Sequence, residues 1–127
     1  MNMIALYLLL NLLLLVFTKA PLAIAMAKVG RYDNNKPRQQ QADLEGWGQR
    51  ALAAHQNAIE AIPIFGLALL GAAYLQVDMA SIHICAIGFF VCRLGYQVCY
   101  LKDIATLRSI FWIAGLGFCL ALPALAL

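Results

Sequence analysis

Four stretches of the chain are almost continuously apolar, and each is long enough to cross a bilayer. A spanning helix needs about 20 such residues. Residues 3–18, M-I-A-L-Y-L-L-L-N-L-L-L-L-V-F-T, are apolar at nearly every position, and the character resumes after Lys19-Ala20-Pro21 through Ala27. The pattern predicts a first transmembrane helix over 1–27, with Pro21 as a kink point and Lys19 snorkelling toward an interface. A-I-A-M-A resembles a signal-peptide cleavage site, but M-N-M lacks Lys and Arg and the apolar run is long, so the segment is expected to remain. Residues 28–49 are the one long polar segment; D-N-N-K-P within it is turn chemistry, and Asp43 or Gly46 is positioned to cap the next helix. A second helix is expected over 46–74, a tight turn at 76–78, a third helix over 79–100 and a fourth over 106–127.

Composition agrees with that pattern. Of 127 residues, 64% are hydrophobic and 12% charged, and the mean hydropathy is +0.80. Soluble domains run near ~45–50% apolar and ~25% charged. The chain is therefore expected to be an all-α membrane protein, a four-transmembrane-helix bundle forming a single domain over 1–127. A net charge of +3 without a basic run excludes a nucleic-acid interface. Of the nine Lys and Arg, all but Lys19 lie at or near 28–50 and 93–108. By the positive-inside rule the long loop faces the cytoplasm and both termini face away. Cys85, Cys92 and Cys99 recur every seven residues on one helix face; with Cys119 they read as buried free thiols, since no C-x-x-C pair is present.

Two polar stripes interrupt the apolar background. At about 100° per residue, Arg50, Asn57 and Glu60 of the second helix fall within about 80° of one another, with Gln56 at the edge. Pro63, one turn on, is expected to bend the helix and open space beside Glu60. On the third helix Arg93, Tyr96, Gln97 and Tyr100 share a side, and Arg108 and Ser109 open the fourth. Counted from the 76–78 turn, Glu60 and Arg93 reach nearly the same depth at about 1.5 Å per residue. An isolated charge there is expensive, by about 2.5–3.5 kcal/mol on insertion scales, so a Glu60–Arg93 ion pair is expected to join the two helices. The remaining cations, Lys28, Arg50 and Arg108, converge with the tyrosines on the loop end and suit an anionic, amphipathic ligand. His55 lies off the stripe and reads as a packing or interfacial histidine; His83, near Asp78, reads as a surface residue. Neither has a second ligand at metal spacing. Trp47 and Trp112 read as interface aromatics, and Tyr100 as either a belt residue or a ligand contact.

Taken in order, these features resemble the MAPEG family, the membrane-associated proteins of eicosanoid and glutathione metabolism. The resemblance rests on four apolar helices, a basic loop after the first, N-x-x-E-x-x-P (Asn57, Glu60, Pro63), R-x-x-Y-x-x-x-Y (Arg93, Tyr96, Tyr100) and R-S (Arg108, Ser109). R-A-x-x-A-H-x-N-x-x-E is similar to the bacterial branch, which implies a bacterial inner membrane. The resemblance implies a homotrimer with glutathione held between subunits. Glu60 and Asn57 would hold the peptide and Arg93, Tyr96 and Tyr100 its carboxylates, with Lys28 and Arg50 as further cationic contacts. Arg108 would stand near the thiol with Ser109 beside it, because a fixed cation lowers a thiol pKa from about 8.5. Ala53 and Ala61 stand where the family's synthases carry an arginine and a tyrosine, and Arg50 is one turn from the first. The implied activity is a glutathione-dependent transferase or peroxidase acting on lipophilic electrophiles or hydroperoxides arriving from the bilayer. The alternative is a non-catalytic membrane assembly or small-ligand-binding protein that keeps the fold.

Overall fold

The structure, a computed structural model, describes residues 2–127. Its elements are α1 (Met3–Val29), α2 (Pro37–Ala42), α3 (Trp47–Tyr74), α4 (Met79–Leu101) and α5 (Ala105–Ala124). Four of these, α1, α3, α4 and α5, are long and apolar enough to cross a membrane. The first starts where Asn2 Oδ1 accepts the N–H groups of Ile4 and Ala5 at 3.1 and 3.3 Å, satisfying two otherwise unpaired donors. It continues through Pro21 to Val29. The fourth span ends at Ala124 rather than at the last residue, one position after Pro123.

The short α2 is an element that hydrophobic periodicity does not reveal. Asp33 Oδ1 accepts from the N–H groups of Asn35 and Lys36 at 2.9 and 3.1 Å, and that turn delivers the chain to Pro37. Proline at the first helical position has its φ preset and needs no hydrogen bond there. Asp43 ends this helix, and Gly46 precedes α3 with φ +56 and ψ −123, a conformation that side chains other than glycine's resist. Both α3 and α4 stop in Schellman geometry. Val77 N–H bonds Ala72 O at 3.0 Å and Ile104 N–H bonds Cys99 O at 2.9 Å. The left-handed residues at these stops are Gln76 and Asp103, both with φ 60. No glycine marks either turn, yet each is followed by an apolar residue that closes the motif.

The four long helices run antiparallel in sequence order, so 30–46 and 102–104 share one end of the bundle and 75–78 lies at the other. Helix α1 packs along α3. A Cβ on Gly48 would lie 3.2 Å from Ala25 Cβ, Thr18 Oγ1 meets His55 Nδ1 at 2.9 Å, and Asn11 Nδ2 donates to Ile62 O at 2.8 Å. The index falls along α3 as it rises along α1, which fixes their register. Helices α4 and α5 interlock through two glycines seven residues apart: the Phe118 ring seats on Gly88 and the Phe111 ring on Gly95. Small residues that admit a neighbour this closely are how membrane helices gain packing. The main core sits toward the 75–78 end, where Phe65 and Phe89 stack at 4.1 Å with Leu69, Ile82 and Leu122 around them. A smaller cluster of Leu22, Met26, Leu44 and Ala51 closes the loop end. Large apolar side chains such as Leu12, Phe17, Ile84 and Leu120 point outward, as they do when lipid is the solvent.

Candidate functional site

The site grows from the pairing of α3 with α4. The 76–78 turn brings Asn57 and Arg93 to one level, and Arg93 Nη2 donates to Asn57 Oδ1 at 2.6 Å. The Asn57 amide in turn donates to Glu60 Oε2 at 3.4 Å. The depth match of Glu60 with Arg93 read from the sequence is therefore present, but the direct ion pair is not. Asn57, on the same stripe three residues before Glu60, occupies the position between them. The guanidinium is 7% exposed and stacks on its second neighbour, Tyr96, 4.5 Å from the ring centroid. A charge-assisted hydrogen bond and a cation–π contact together offset its burial. Glu60 is exposed on the surface of the chain.

From Tyr96 the chain of contacts continues toward the loop end. Tyr96 and Tyr100, four residues apart on α4, meet edge to face at 5.6 Å. Arg108 lies over the Tyr100 ring at 4.4 Å. Ser109 Oγ donates to Ala105 O at 3.2 Å within its own helix. Two clefts flank this line. The inner one, about 70 Å³, is lined by Asn57, Glu60, Ala61, Arg93 and Cys119 among others; the outer one, about 260 Å³, by Tyr96, Tyr100, Arg108, Ser109 and Ile113. Trp112 forms a wall of both. Ala61, the small residue beside Glu60, leaves room in the inner cleft that a tyrosine would fill.

Two of the sequence candidates lie elsewhere. Arg50 Nε donates to Leu101 O at 3.4 Å, so its charge serves the C-terminal end of α4. Lys28 Nζ stands 5.5 Å above the Trp47 ring, in a separate recess with Leu44 and Gly48. Within the chain the candidates thus divide into a connected set of Glu60, Asn57, Arg93, Tyr96, Tyr100 and Arg108, with Ser109 lining the same outer cleft, and two outlying cations.

Three features escape the sequence reading. Trp112 faces the site; it is one turn beyond Arg108, so its place on that face of α5 was open to reading by spacing. His83 is not simply a surface residue: its Nδ1 pairs with the Tyr7 hydroxyl at 2.6 Å, tying α4 to α1. Asn11, 2% exposed in the most apolar segment, holds a backbone carbonyl of α3 next to Pro63 through its amide, while its Oδ1 has no partner among the described residues. His55 is buried against Thr18 as expected of a packing histidine, and all four cysteines are buried and free.

The donor set has a definite chemistry. Two guanidinium groups and one carboxylate are set along a tyrosine-lined cleft, which suits a ligand that carries both negative and positive charge.

The MAPEG family model matches residues 3–127. Curated proteins give no match. The chain belongs to the MAPEG family. It is an integral, multi-pass membrane protein, and membership ties it in general terms to membrane-associated glutathione and eicosanoid metabolism.

Proposed function

We propose that this protein is a glutathione-dependent transferase or peroxidase that acts on lipophilic electrophiles or hydroperoxides. The observation that carries the reading is the unbroken line Glu60–Asn57–Arg93–Tyr96–Tyr100–Arg108, in a family tied to glutathione. Glu60 would take the ammonium of glutathione, Asn57 its peptide groups, and Arg93 and the tyrosines its carboxylates. Bound glutathione would supply the thiol whose thiolate is the nucleophile. Arg108 contributes a fixed positive charge on the outer cleft, which favours the thiolate over the thiol, and Ser109 lies beside it. The wall made by Trp112 and Ile113 offers an apolar approach for a substrate arriving from lipid.

A homotrimer with glutathione between its subunits belongs to the same proposal. Its support is Glu60: a carboxylate within a spanning helix, exposed on the single chain and joined among the described residues to Asn57, is costly against hydrocarbon and is relieved where a neighbouring copy covers it. The basic residues of the loops support a cytoplasmic loop end; the resemblance of R-A-x-x-A-H-x-N-x-x-E to the bacterial branch supports a bacterial inner membrane, and the match over residues 3–127 supports one domain. Lys28, distant from the site in its own protomer, remains a candidate contact across such an interface. The second reading, a non-catalytic membrane protein, draws on one feature: Arg93 already has partners in Asn57 and Tyr96 without a ligand. Protein reconstituted in vesicles with glutathione and a lipophilic electrophile separates the two. Conjugation well above the uncatalysed rate, lost in Arg108→Ala, supports the enzyme; a rate equal to that of empty vesicles refutes it.

A further inference from the structure

The buried stripe of α1 holds three polar side chains, Tyr7, Asn11 and Thr18. Tyr7 reaches α4 through His83, and the other two grip α3. Asn11 Nδ2 donates to Ile62 O at 2.8 Å; Thr18 Oγ1, which donates to Leu14 O at 2.7 Å, meets His55 Nδ1 at 2.9 Å. Two groups seven residues apart on α1 thus hold two points seven residues apart on α3. At about 1.5 Å per residue, α1 splints roughly 10 Å of its neighbour. The splinted segment, 55–62, is the one that carries Asn57 and Glu60. At about 100° per residue, both lie on the flank of α3 opposite His55, so the splint acts on them through the backbone and not by touch.

The segment needs this outside hold because Pro63 follows it. Proline has no N–H, so Ile59 O loses its helical donor and the hydrogen-bond ladder is interrupted there. Beyond the proline, α3 is fixed by the main core, where Phe65, Leu69 and Ala72 are fully buried. Before it, Ile59 and Glu60 are exposed, and the half that carries the site is free to pivot about the break unless α1 holds it. Asn11 binds the carbonyl of the residue just before the proline. Gly66 leaves the amide its path: a Cβ there would lie 3.4 Å from Asn11 Nδ2. Asparagine is unfavourable in this place. Its Oδ1 is buried without a partner among the described residues, and an unmet polar atom in a spanning helix is costly. An apolar side chain would fill the stripe without that penalty; what asparagine adds is the donor to Ile62 O.

We propose that Asn11 is a positioning residue: with Thr18 it locks the Pro63 break and so fixes Asn57 and Glu60 at the depth and rotation at which Asn57 meets Arg93. Asn11 lines neither cleft of the site. Its consequence for ligand affinity rests on the glutathione reading above; its hold on 55–62 does not.

Asn11→Leu tests this, because leucine keeps the bulk and suits a spanning helix. Amide hydrogen exchange of the full chain in detergent micelles reads the splint directly. Residues 55–62 should exchange about tenfold faster while 66–74 keep the parent's protection; a general loss of packing would raise both. Thr18→Val, which removes the other hold, should loosen the same segment. In calorimetry, glutathione should bind Asn11→Leu roughly tenfold more weakly, with the thiolate absorbance per bound glutathione unchanged, since Arg108 lies on another helix. Pro63→Ala returns the N–H that Ile59 O lacks, so in that background Asn11→Leu should leave exchange over 55–62 nearly unaltered. Unchanged exchange over 55–62, equal rises in both halves of α3, or the same rise in the Pro63→Ala background overturns the proposal. So does local loosening with unaltered glutathione affinity. A parent that binds no glutathione refutes the glutathione reading instead, and the exchange pattern alone then decides the splint.

Discussion

Arg93 and Asn57 are joined across α4 and α3 by a 2.6 Å hydrogen bond, and Asn57 passes the contact on to Glu60. The amide, not the carboxylate, is the direct partner of the buried guanidinium. This order of contacts determines what each residue contributes. Asn57→Ala leaves a guanidinium that is 7% exposed without its charge-assisted bond, an effect of about 1.5–3 kcal/mol. Glu60→Gln keeps the Asn57–Arg93 bond and alters a group joined to the line by one weak 3.4 Å contact, so its effect on stability is smaller. Unfolding of both variants in detergent checks this; a larger loss in Glu60→Gln than in Asn57→Ala would restore the direct ion pair.

Arg108 stands on the outer cleft with its guanidinium over the Tyr100 ring. Removing it costs a cation–π contact of about 0.5–1 kcal/mol and leaves the fold intact. The thiolate absorbance of glutathione titrated into Arg108→Ala should be absent at a pH where the parent protein produces it. Arg108→Lys should recover part of that signal, because the charge returns without the planar group.

The α4–α5 interlock predicts strong sensitivity at two glycines. A methyl group at Gly88 or Gly95 occupies the space of the Phe118 or Phe111 ring, and overpacking of this kind costs about 1–3 kcal/mol. Gly88→Ala should lower the unfolding midpoint, and Phe118→Leu in the same chain should recover part of the loss. Full additivity of the two changes would mean that they do not touch.

Asp78 caps α4, its Oδ1 accepting from Ser81 N–H at 2.9 Å. Hydrogen bonds from the Ser81 side chain and backbone hold its carboxyl below the usual range. A carboxyl depressed in the folded state stabilises above its unfolded pKa, and that contribution is lost as pH falls through the folded value. The melting temperature of the parent should therefore drop relative to Asp78→Asn as pH is lowered through the carboxylate range, with the difference constant above it. A difference that grows at alkaline pH would contradict the cap.

The four spans, their antiparallel order and the common depth of Glu60 and Arg93 were legible because they follow from apolar run length and from counting residues away from one turn. What was not legible depended on packing between helices. Choosing Asn57 over Glu60 as the partner of Arg93 requires the relative rotation of α3 and α4, which sequence spacing leaves free. Arg50 looked like part of the site because it shares a stripe with Asn57, yet two turns of rise carry it to the end of α4. Helix α2 escaped because six residues opened by a proline have too little periodicity to register. Both Schellman stops escaped because Gln76 and Asp103 stand where glycine is the usual signal. Asn11 and His83 could be seen as polar residues in apolar segments, but their partners Ile62 and Tyr7 lie 51 and 76 residues away.

The central claim is that the Asn57–Arg93 line and Arg108 form a glutathione site, and calorimetric titration of the detergent-solubilised protein with glutathione measures it most directly. Saturable heat at millimolar glutathione, accompanied by thermal stabilisation and abolished in Asn57→Ala, is the predicted result. Neither heat nor stabilisation at that concentration would contradict it and leave the family fold without its glutathione chemistry.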